Sequence, residues 1–167
     1  MPPFILNLYL RHMQSAVNSF NQIKNYTPIK LCLLVFVLDF FVTVFFSVIL
    51  FPEPRYGNNL IINSTAEKIF LFLLMAPLIE TLFFQSFLCN LIYSKSKRES
   101  YAIIISALFF GLAHTYSLPY VIKAFIAGVL YSSLYLNLIS RGYNGFLYTL
   151  FTHVFFNTIA FLFNEFN

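Results

Sequence analysis

Five apolar runs, at about 31–51, 69–93, 101–116, 120–139 and 146–163, occupy most of the chain and leave it few ways to fold. About 20 residues of helix cross the roughly 30 Å hydrocarbon core of a bilayer. Most of the runs reach that length; the third is short and must borrow residues at its ends or tilt little. Only 10% of residues are charged, against roughly a quarter in soluble proteins, and 59% are hydrophobic. With 23 Phe and 11 Tyr in 167 residues, a water-soluble fold could not hide its apolar surface. The expected fold is an all-α polytopic membrane bundle of about five transmembrane helices.

The segment before the first run carries Ile5, Leu8, Tyr9, Ala16, Phe20 and Ile23 at roughly helical spacing, with Arg11 and Lys24 between them. It reads as an N-terminal amphipathic helix lying in the membrane interface, not as a signal peptide, because its apolar stretch is short and no small-residue cleavage site follows. Three regions result: an interfacial segment (1–30), a first transmembrane helix with its outer loop (31–65), and a four-helix core (66–167).

Charge sets the orientation. Arg11, Lys24, Lys30, Lys95, Lys97, Arg98 and Arg141 fall on one side of the spans, and Arg55 and Lys68 on the other. Seven cations against two place the N-terminus in the cytoplasm and the C-terminus outside, most simply in the cell membrane. The formal charge of +4 is used up in these loops and points to no nucleic acid. Cys32 and Cys89 both lie in apolar runs and offer neither a disulfide framework nor a zinc motif. An Asn63-Ser64-Thr65 sequon matters only where the cell glycosylates.

The ionisable residues left inside the spans are Asp39, Glu80, His114, Lys123 and His153. Such groups at membrane depth are functional candidates by default. At 1.5 Å per residue, Glu80 lies about 20 Å from Tyr93 at the end of its run, and His114 about 20 Å from Tyr101. His153 and Asn157 are about 11 and 17 Å into the last run. Four polar groups on three helices therefore reach similar depth. His153 and Asn157 share a helix face at i and i+4, as do Phe110 and His114, and Thr81 and Gln85. Lys123 is near a span end and can snorkel. Asp39 has no counter-charge nearby in sequence and reads as structural, and His12 as a solvated interfacial residue.

These groups suit peptide hydrolysis inside the membrane. Glu80 would act as general base for a water and pass the proton to a leaving amine. One histidine would orient that water, while the other and the Asn157 amide would donate to a developing oxyanion. A metal reading competes, with Glu80, His114 and His153 as three ligands to a catalytic zinc. It leaves no second carboxylate as base, since Thr81 follows Glu80, and there is no HExxH motif. The metal-free version, with no cofactor, is favoured.

Three short motifs, ETLFFQ (80–85), FGLAH (110–114) and HVFFN (153–157), with Pro77 shortly before the first, occur in this order on separate runs. The pattern resembles the CAAX-protease and bacteriocin-processing family of intramembrane proteases. That family carries Glu-Glu-x-x-x-Arg, Phe-x-x-x-His and His-x-x-x-Asn on separate membrane helices. The resemblance covers about residues 66 to 165. It implies that Glu80 and His114 activate water and that His153 and Asn157 stabilise the oxyanion, with Phe110 in support. Two positions depart: Thr81 stands for the second glutamate and Gln85 for the arginine. One acid and one base are lost together, so the charge balance is kept, and Thr81 and Gln85 are expected to hydrogen-bond to each other in place of an ion pair.

The expected function is an intramembrane endopeptidase acting on a membrane-associated or lipid-linked peptide. A rival from another class is a non-catalytic family member serving bacteriocin self-immunity or scaffolding other membrane proteins. A third is a small channel or transporter relaying protons through Glu80 and the histidines; the repeated halves and broken helices usual in transporters are not evident. The expected partners are a membrane-embedded peptide or protein substrate and the lipid bilayer.

Overall fold

The computed structural model describes residues 26–50, 64–115 and 117–165, and all regular structure among them is helical. The expected interfacial helix, His12 and the Asn63 of the sequon lie outside the described residues. Five helices follow: α1 (Pro28–Val44), α2 (Thr65–Ser96), α3 (Glu99–Leu112), α4 (Leu118–Ser140) and α5 (Gly145–Glu165). Four of them are long and apolar enough to cross a membrane. The 14 residues of α3 rise only about 21 Å, and the chain leaves the helix before His114.

The starts and stops have local causes. Thr27 caps α1, its hydroxyl accepting from the Lys30 N–H at 3.4 Å, and Pro28 opens the helix where its missing N–H is harmless. Ser117 caps α4 in the same way, accepting from the Tyr120 N–H at 3.3 Å, with Pro119 in the first turn. Helix α2 ends at Lys97, which takes the left-handed conformation at φ 56°. A turn containing Gly142, at φ 79°, reverses the chain between α4 and α5.

Helix α1 runs on as a π-wound stretch, Phe45–Leu50, and α2 is irregular in its middle. Two stretches, Ile69–Met75 and Thr81–Leu88, are wound as π-helix around a short α-helical piece, Ala76–Glu80. Pro77 sits in the first turn of that piece and cannot follow an ordinary α-helical turn, because it lacks an N–H and its ring clashes with the preceding turn. The wider winding before it relieves the clash. The Ala76 N–H accordingly reaches back five residues to the Leu71 carbonyl.

Packing is inside-out relative to a soluble protein. On α1, Leu31, Val35 and Asp39 form a buried stripe at i, i+4 and i+8, while Ile29, Leu33, Val37 and Phe41 are exposed. Leu31 and Val35 join Phe110, Ala124, Ala127, Tyr131, Leu134 and Leu138 in the main apolar core. Helices α3 and α4 approach most closely through small residues. A Cβ added to Gly128 would lie 2.9 Å from the Ala107 Cα, and one on Gly111 would lie 3.0 Å from the Val121 carbonyl oxygen. Close backbone approach of this kind is the usual way membrane helices gain packing without a hydrophobic drive between them.

The opposing atom at Gly128 is backbone, not a movable side chain, so Gly128→Ala forces the two helices apart. Overpacking of this kind costs about 1–3 kcal/mol. A lower thermal midpoint for Gly128→Ala than for wild type in the same detergent checks it.

Candidate active site

Three helices bring their ionisable residues to one point. Glu80 is the last residue of the short α-helical piece in the middle of α2, His114 follows the end of α3, and His153 lies on α5. One carboxylate oxygen of Glu80 is 3.7 Å from His114 Nε2, and the other is 3.5 Å from His153 Nε2. The side chains are 23%, 16% and 6% exposed in the order Glu80, His114, His153. The carboxylate is therefore the accessible member, and His153 forms the back wall.

His114 is held just beyond its helix. Its Nδ1 lies 2.7 Å from the Phe110 carbonyl oxygen, and its ring packs on the Phe110 ring at 4.6 Å. A carbonyl can only accept, so Nδ1 carries a proton, and in the neutral ring Nε2 presents its lone pair toward Glu80. The i, i+4 relation of the FGLAH motif thus does two things: the carbonyl of Phe110 fixes the tautomer and its ring fixes the plane. His153 is held from more sides. Its Nδ1 is 3.4 Å from the Thr81 hydroxyl, the Tyr131 ring stacks on it at 4.7 Å, and the Phe110 ring meets it edge-on at 6.1 Å.

One expectation changes. Thr81 and Gln85 do not pair with each other. They lie in the π-wound stretch, where positions four apart no longer stack as in an α-helix. Thr81 instead serves His153, and both polar atoms of the fully buried Gln85 amide lack a hydrogen-bond partner. Asn157, on the same face of α5 as His153, has its partner on α2. Its Nδ2 donates to the Phe72 carbonyl oxygen at 3.1 Å. The reason lies in α2: Ala76 bonds to Leu71 in the five-residue register, so the next carbonyl, that of Phe72, would take the N–H of residue 77. Residue 77 is proline. Asn157 supplies the donor that Pro77 lacks.

Neither Asp39 nor Tyr131 was tied to the site by the sequence. The Tyr131 hydroxyl donates to Asp39 at 2.6 Å behind the His153 ring. Lys123 does not simply snorkel: its ammonium lies over the rings of Tyr120 and Phe156, at 5.1 and 5.6 Å. Tyr120 in turn packs on His114. The depths of Asp39 and Lys123 could have associated them with the other groups; one tyrosine among 11 could not be singled out.

The zinc alternative can be weighed on the donors. No group of three or more His, Cys, Asp or Glu among the described residues is disposed to hold a metal ion. Glu80 turns a different oxygen to each imidazole.

Fold and site together define a helical integral membrane protein with a half-buried carboxylate between two histidines. A family model described as type II CAAX prenyl endopeptidase Rce1-like matches residues 62–159, more than half of the chain. The chain belongs to this family, which is one of proteases. The match holds all three motifs and excludes α1. Searches of curated proteins and of solved structures give no match.

The Asn157 contact makes a specific prediction about α2. Asn157→Ala leaves the Phe72 carbonyl without its donor and destabilises the protein by about 1–3 kcal/mol. Pro77→Ala restores a backbone N–H, so in that background Asn157→Ala costs measurably less. A double-mutant cycle on thermal or denaturant midpoints reads the coupling; additive losses would mean that the two residues act independently.

Proposed function

We propose that the protein is an intramembrane endopeptidase that hydrolyses a membrane-associated or lipid-linked peptide with a water activated by Glu80. The observation that carries this reading is the Glu80 carboxylate bridging two imidazoles from two other helices at the level of hydrocarbon. A charge there is costly to maintain for packing alone, and carboxylate and imidazole are the groups general acid–base chemistry needs.

The proposed steps are these. Glu80 takes one proton from water as the oxygen adds to the scissile carbonyl carbon. His114, with its Nε2 lone pair fixed toward the site, accepts a hydrogen bond from the same water and orients it. The carbonyl oxygen becomes an oxyanion and is met by the Nε2–H of His153 and by the second N–H of Asn157, the one not given to Phe72. Collapse re-forms the carbonyl and breaks the C–N bond, and the leaving nitrogen takes the proton held on Glu80. The products are a carboxylic acid and an amine. Thr81 takes the place of a second carboxylate and holds His153 by its Nδ1 edge.

A cell-membrane location with the N-terminus inside goes with this proposal, since Lys95 lies in the last turn of α2, Lys97 and Arg98 follow its end, and Arg141 follows that of α4. A second reading has one specific support. The buried, unpartnered amide of Gln85 replaces the arginine of the first motif, which suits a family member that binds a peptide without cutting it, as in bacteriocin self-immunity.

The two readings separate on purified protein in liposomes with a quenched fluorescent peptide set that includes prenylated peptides. Hydrolysis by wild type, lowered about 10²–10⁴-fold by Glu80→Gln, comparably lowered by His114→Ala and retained in chelator, is the expected result. Loss of cleavage in chelator with recovery in zinc would overturn the metal-free mechanism. Binding of the same peptides with equal affinity by wild type and Glu80→Gln, without cleavage, would favour the binding reading.

A further inference from the structure

We propose that Asp39, on the helix outside the family match, is a positioning residue for His153 and acts through Tyr131. This rests on the reading that His153 works at the active centre. Asp39 and Tyr131 are each 1% exposed, on α1 and α4, and the Tyr131 hydroxyl donates to Asp39 Oδ2 at 2.6 Å. The tyrosine ring lies nearly parallel to the His153 imidazole, with 4.7 Å between centroids and 23° between planes. A phenol sealed in the bundle interior needs an acceptor for its O–H, and that acceptor decides where the ring stands. The ring in turn sets the plane in which His153 turns Nε2 to Glu80 and Nδ1 to Thr81.

The bland alternative is that Asp39 only fastens α1 to α4. Two features weigh against it. Leu31 and Val35 already bury α1 in the main core together with α4 residues, so an acid is not needed for docking. The second oxygen of Asp39 is buried without a hydrogen-bond partner, a penalty that an apolar residue at this place would avoid. The acidic group is retained one aromatic ring away from the histidine. The charged and titratable groups around this line are Lys123, which lies within electrostatic reach of Asp39, His114 and His153, and Glu80. Helix α1 has no other acidic residue.

The chain has three histidines, so ring-labelled histidine gives three sets of imidazole resonances, assignable with His12→Gln and His153→Gln variants. Wild type is compared with Asp39→Asn, with Tyr131→Phe, which keeps the ring face and loses the hydroxyl, and with the double variant. The expected result is that both single changes shift the His153 ring resonances in the same direction and do not add in the double variant. Where peptide cleavage is measurable, kcat falls about tenfold or more, with KM unchanged. Unmoved His153 resonances in Tyr131→Phe, or independent and additive shifts, would overturn the proposal even if the protein cleaves peptides. Coupled shifts in a protein that cleaves nothing would uphold the positioning and reject the hydrolytic reading instead. Should Asp39→Asn fail to fold, the Tyr131→Phe spectrum alone decides.

Discussion

Hydrocarbon offers no water to an unpaired polar group, and that constraint organises this bundle around α2. Pro77 breaks the helical register in the middle of the membrane, at a depth where a freed carbonyl has nowhere else to turn. The chain answers within the fold: the winding widens on either side of Ala76–Glu80, and an amide from α5 reaches the Phe72 carbonyl. The consequence extends beyond one hydrogen bond. Contacts of Phe72 with Asn157 and of Thr81 with His153 run in opposite order along the two helices, so α5 lies antiparallel to α2 with its register pinned at both places. Glu80 sits between those two ties, and its meeting with His153 follows from them.

The same constraint explains how α3 can be short. A 14-residue helix stopping inside a bundle exposes carbonyls at its end. His114 covers one of them, that of Phe110, with its own Nδ1–H. The ring that caps the helix is also the ring that faces Glu80. Helix termination and site construction are here a single contact, and small residues on α3 and α4 make up in close packing what the short helix lacks in length.

Much of this was legible in the sequence, for a reason that also sets the boundary. Hydropathy and charge placed the helices because the bilayer imposes length and composition directly, and depth along each run was enough to bring Glu80, His114 and His153 together. What depth cannot supply is rotation about the helix axis. The pairing expected between Thr81 and Gln85 assumed α-helical winding, and the π-wound stretch turns the two side chains to different neighbours. Asn157 was legible as a polar group facing inward, but the partner it takes depends on a proline eighty positions away whose effect is felt five residues upstream. Tyr131 had no distinguishing mark at all, because its importance comes from a stack and a hydrogen bond across three helices.

The polar groups that remain unpaired are then informative by contrast. Gln85 and Thr149 are both fully buried with no partner for their side-chain polar atoms. On antiparallel helices tied at Thr81 and His153, residue 85 is four positions along α2 and residue 149 four positions back along α5, so both lie on the same side of the Glu80 level. The family's first motif places an arginine where Gln85 stands. An arginine there would have needed a counter-charge, which the second glutamate supplies in the family and Thr81 does not. Replacing both leaves two neutral groups, of which one found a new role at His153 and the other found no partner. The Thr81 hydroxyl meets the imidazole edge, and the Gln85 amide has no partner. The centre around Glu80 is therefore held mainly from the α5 side, by Thr81, Tyr131 and Phe110 acting on His153, and Glu80 and His114 form its more open side.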